Sequence, residues 1–166
     1  MLVRTLFIIG FCLFFWLICY FCTGDDKKNM SGFRTYPDEV QEIIRKDPKL
    51  GKMAPKEINI VKVFGANLLT FTILFTCIGE ILKRTIGFQG FADTFLFILI
   101  LGEALNLFDL LIIDLLWWRN TKRIRFSCAP NKALYQDPRK HIGSFVRGAV
   151  MYVIVAVISA GILMLY

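Results

Sequence analysis

Charge is scarce in this sequence, and it is missing in long stretches. Of the 166 residues 20% are charged, where a soluble domain of this size usually has about a quarter. Residues 5–22 carry no charge, and neither do residues 148–166. There is a single histidine, and there are only five prolines. The sequence has no internal repeat and no low-complexity tract. The patterns H-E-x-x-H, G-x-S-x-G, Walker and Rossmann are all absent, so no common catalytic or nucleotide motif is offered. Long apolar blocks exclude a disordered chain and argue against an ordinary soluble globule.

What is present is a set of four apolar blocks. They cover residues 5–22, 63–82, 94–118 and 148–166. A bilayer core needs roughly 20 residues of helix at about 1.5 Å rise each. In lipid the backbone must satisfy its own hydrogen bonds, so each block is expected as a helix. The first and fourth blocks also lack the polar stripe of a soluble bundle. The expected fold is all-α: a single membrane domain of four transmembrane helices near 5–22, 60–82, 94–118 and 146–166. The loops at 23–58 and 119–145 would share one side. A cleavable leader is the alternative for the first block. Its end, Ile18 to Cys22, lacks the small-residue A-x-A pattern such a leader needs.

The charges set the expected orientation. Residues 23–58 hold eight Lys/Arg and seven Asp/Glu, and residues 119–147 hold eight Lys/Arg and one acid, Asp137. Sixteen of the 20 basic residues thus fall on one side, which the positive-inside rule makes cytoplasmic. A multi-pass protein of the cell membrane follows, with both termini extracytoplasmic. Trp117 and Trp118 read as interfacial belt residues. Arg119, Lys122, Arg123 and Arg125 come next; they either stop the helix or attract anionic lipid headgroups. Nucleic acid is not an expected partner, because no reading motif accompanies the basic segment.

Within the first loop, residues 37–48 read as a short helix. Pro37 opens it, acids come early, Arg45 and Lys46 come late, and Pro48 stops it. Its apolar face, Val40, Ile43 and Ile44, should rest on the bilayer surface or on the third loop. The five cysteines form no framework. Cys19 and Cys22 have C-x-x-C spacing but no second pair, so all five read as small buried hydrophobes.

The third block is the informative one. At about 100° per residue, Glu103, Asn106, Asp109 and Asp114 fall within a sector of about 140°. A charge at the centre of a membrane helix costs roughly 2.5–3.5 kcal/mol on insertion scales, so this face should look inward. The second block supplies Thr72, Thr76 and Glu80 on one stripe, with Asn67 near its end. The two helices are expected to pack along these faces. Near the rim, His141 lies among Arg139, Lys140 and Arg147. With Asp109 and Asp114 it sketches an acid–base or metal site, though the spacing is not diagnostic of a metal and no cofactor is called for. Ala156 and Ala160 permit close helix contact, either internally or with a second copy.

At NLFDLLIIDLLWW and PRKHIGSFVRG the chain resembles a group of uncharacterised small four-helix bacterial membrane proteins. The resemblance covers the second to fourth helices and implies a fold without assigning catalytic roles. In that group a Trp often follows close behind the second acid; here Leu115 and Leu116 intervene before Trp117.

Three functional readings follow. One is a non-enzymatic membrane protein, a small transporter-like component or partner subunit, with acids lining a polar interior. Another is an enzyme acting on a lipid headgroup through Asp109, Asp114 and His141, with Arg119 and Arg147 holding phosphate. In the last, the acids are only helix glue.

Overall fold

The computed structural model describes residues 2–55 and 60–165. The described residues are helical with no strand. Four helices are long and apolar enough to cross a membrane, which fits an integral membrane protein. They are α1 (Leu2–Phe21), α4 (Ile60–Ile86), α5 (Phe91–Phe108) and α6 (Arg139–Leu163). α5 continues directly as a π-helix, Asp109–Trp118. The first loop holds two short α-helices, α2 (Asp26–Asn29) and α3 (Asp38–Lys46), with a 3-10 helix between them (Met30–Thr35), and a 3-10 turn follows later at Lys132–Tyr135. The span expected from residue 146 begins earlier, because Asp137 accepts a bond from the Arg139 amide (3.0 Å) and starts the helix within polar sequence.

The chain divides into two compact units. One holds residues 2–12, 60–107 and 146–165. Here Tyr152 of α6 stacks on Phe75 of α4 at 5.7 Å and meets Phe71 edge-on at 5.1 Å. Across from them α5 presents Gly102, where an added Cβ would sit 2.8 Å from the Tyr152 ring. Only a glycine permits that approach, so Gly102→Val is expected to destabilise by about 1–3 kcal/mol through overpacking. Thermal unfolding in detergent measures it. Ala156 and Ala160 are fully buried in this unit, so the small-residue pair serves a contact inside the chain.

α1 belongs to the same packing. Phe7 and Phe11 meet Phe97 and Phe75, respectively. Arg4 grips Asp93 with two parallel bonds, 2.5 and 2.7 Å, and lies against the Phe88 and Phe97 rings. Both side chains are about a quarter to a third exposed, so the pair contributes about 1 kcal/mol or less. Arg4→Asp and Asp93→Arg should each lower the unfolding temperature, and the combined swap should recover most of the loss.

The second unit holds residues 13–55 and 108–145. Its core joins the two loops: Met30, Phe33, Tyr36, Val40, Ile44 and Leu50 pack with Trp118, Ile124, Phe126, Ala129 and Tyr135. The apolar face of α3 therefore rests on the third loop. Tyr36 centres the cluster, with Trp118 and Phe126 each at 5.0 Å. Its hydroxyl donates to the Ile124 carbonyl at 2.9 Å. Burial pushes that hydroxyl above its ordinary range, which keeps it protonated and donating.

Two expectations are corrected here. Trp118 is buried in this core instead of lying in an interfacial belt. Of the five free cysteines only Cys12 is buried; Cys22, just past α1, and Cys77 on α4 are exposed.

Candidate functional site

The site grows from the π-helix. Its i→i+5 bonding closes rings between residues five apart, and π-helical turns are frequent at functional sites. Asp109 and Asp114 are five apart. A regular helix would hold them about 140° apart around the axis; the wider winding brings them toward one face. Both carboxyl groups are half-buried.

Opposite stands His141, in the first turn of α6. It is held from both sides of the sequence: Asp137 caps the helix start, and Lys140 pairs with Asp38 at 2.5 Å. The ring lies edge-on to Trp118, with centroids 4.7 Å apart. His141 Nδ1 is 2.9 Å from Asp114 Oδ2, where an Nδ1–H donates to the carboxylate. His141 is 3% exposed and Asp114 15%. The other ring nitrogen, Nε2, is buried with no hydrogen-bond partner. A carboxylate on Nδ1 fixes the tautomer and leaves Nε2 as the open acceptor, the arrangement of a proton-accepting imidazole.

The remaining expected residues are placed as follows. Glu103 is half-buried on α5. Asn106 is buried, and a Cβ added at Gly148 of α6 would lie 2.6 Å from its Oδ1. Thr72 is buried on α4, and its carbonyl accepts from Ser159 of α6 at 3.3 Å. α6 thus approaches both Asn106 of α5 and the Thr72 backbone of α4. The Thr72 and Thr76 hydroxyl oxygens are buried without partners. Asn67 and Glu80 are exposed and join no polar interior.

The rim arginines are largely committed to the fold. Arg119 donates to the Gln136 carbonyl at 2.5 Å, and its own carbonyl accepts from Gln136 at 2.9 Å. Arg123 donates to the carbonyls of Tyr20 and Thr23, at 3.0 and 2.8 Å, and covers the Tyr20 ring. It caps the C-terminus of α1, where a cation is favoured. Arg147 is exposed. Among the described residues no three His, Cys, Asp or Glu side chains converge to hold a metal.

Trp118 is the wall of the site, and no periodic signal links it to His141. Comparison with family models, curated proteins and solved structures finds no match.

Proposed function

We propose that this chain is a small, non-enzymatic, transporter-like membrane component in which Asp109, Asp114 and His141 bind and release a proton. The reading sets the basic loops on the cytoplasmic side and both termini outside, following the positive-inside rule. Asp114 then lies close to the cytoplasmic end of its span, where a proton can be exchanged with water. Intramembrane acids paired with histidine mark proton relays.

The observation that carries this reading is the buried Asp114–His141 bond with Nε2 left open. A headgroup enzyme is less well supported, because Arg119 Nη2 is spent on the Gln136 carbonyl.

The test is proton flux into vesicles carrying the purified protein and a trapped pH dye, driven by an imposed membrane potential. The expected result is flux above that of empty vesicles, falling at least about ten-fold in Asp114→Asn and in His141→Gln. Flux equal to that of empty vesicles refutes the proposal.

A further inference from the structure

An open groove lies away from the Asp114–His141 pair, within the same unit. It encloses about 440 Å³ and is lined by Trp16 of α1 and by Ile112, Leu116, Trp117, Asn120 and Thr121. The wall is apolar: Ile112 and Leu116 are exposed, and the two tryptophans meet edge-on at 6.3 Å. One end is polar. Asn120 and Thr121 close the last turn after the π-helix, and the Lys132 ammonium donates to Asn120 Oδ1 at 2.8 Å. Among the described residues that ammonium has no carboxylate partner. It belongs to the loop of eight Lys/Arg and one acid.

We infer that this groove is a binding site for one acidic glycerophospholipid. An acyl chain lies along Trp16, Ile112, Leu116 and Trp117, and the phosphate meets Lys132 and the Asn120 and Thr121 side chains. Three features select this occupant. The apolar trough fits a chain. Paired tryptophans sit where a membrane helix meets the headgroup layer. The positive charge at the polar end complements an anionic headgroup. The inference rests on the membrane reading and is independent of proton binding at His141.

The experiment uses the tryptophans as reporters. The full chain is reconstituted in phosphatidylcholine vesicles containing increasing phosphatidylglycerol with brominated acyl chains, which quench tryptophan on contact. Brominated phosphatidylcholine in the same background is the reference. Phosphatidylglycerol should quench at a several-fold lower mole fraction. One basic residue near a membrane surface corresponds to roughly a five-fold change in affinity, so Lys132→Gln should shift the curve by that amount. Lys132→Arg should keep the preference, as should Lys49→Gln, which removes an exposed lysine of the other loop. Equal quenching by the two lipids overturns the site. So does an equal loss from Lys132→Gln and Lys49→Gln, which would show only diffuse attraction. Leu116→Trp fills the trough, and an undiminished lipid preference in that variant also overturns it.

Discussion

Asp114→Ala should destabilise the protein by about 3 kcal/mol, the range expected when one partner of a buried polar pair is removed. The carboxylate accepts the Nδ1 hydrogen of His141, whose Nε2 is already unpartnered. Without Asp114 both nitrogens of a 3% exposed ring would be unsatisfied. Asp114→Asn keeps an acceptor oxygen and should cost much less. Replacing both partners by apolar groups, Asp114→Leu with His141→Phe, should be milder than Asp114→Ala, because no orphaned polar group remains. Thermal or denaturant unfolding in one detergent measures the series. A double variant that loses as much as the two singles added together would show that the pair does not act as a unit.

The other large effect belongs to Trp118→Ala. Removing a buried Trp typically costs about 3–5 kcal/mol, through lost burial and the cavity left behind. Trp118 touches Tyr36, Tyr135 and His141. Its loss should therefore loosen both loops together and release the wall of the site. Limited proteolysis should then cut within 23–55 and 119–137 at similar rates, while α4 and the apolar part of α6 stay protected. Cleavage confined to one loop would show that the two do not share a core. Trp118→Phe retains a ring and should recover much of the protection.

These two variants also mark where sequence reading succeeds and where it stops. The four spans were legible because the requirement for roughly 20 apolar residues is linear in the chain. Helix limits moved by a few residues, most at α6, where Asp137 starts the helix ahead of the apolar run. The amphipathic pattern of Val40 and Ile44 was legible too, though not the surface it covers, which proved to be the third loop.

Within the candidate site, the sequence drew Asp109, Asp114 and His141 into one sketch, and the structure brings Asp114 to His141. The sequence offered no sign of the π-helix, which re-phases residues five apart, because the run DLLIIDLLWW carries no signal for that winding. Trp118 was misread because adjacent basic residues imitate an interface, whereas its ring fills an aromatic core that only the meeting of two distant loops creates. The same folding explains the arginines. Arg123 read as a helix stop or a lipid contact, because a helix cap supplied from a hundred residues away leaves no local pattern.

On the proton-binding reading, Asp114 holds His141 with Nδ1 protonated and Nε2 open. The chain has a single histidine, so labelling with ¹⁵N-histidine gives the two ring-nitrogen signals of one imidazole. Nitrogen spectra of the protein in lipid should show a hydrogen-bonded Nδ1–H and a proton-free Nε2 in the wild type, and that bond should be lost in Asp114→Ala. The Nδ1 proton should nonetheless exchange with deuterated water faster than the backbone amides of the buried helix around it, as a proton-binding site requires. A tautomer mixture that is identical in wild type and Asp114→Ala would contradict the claim.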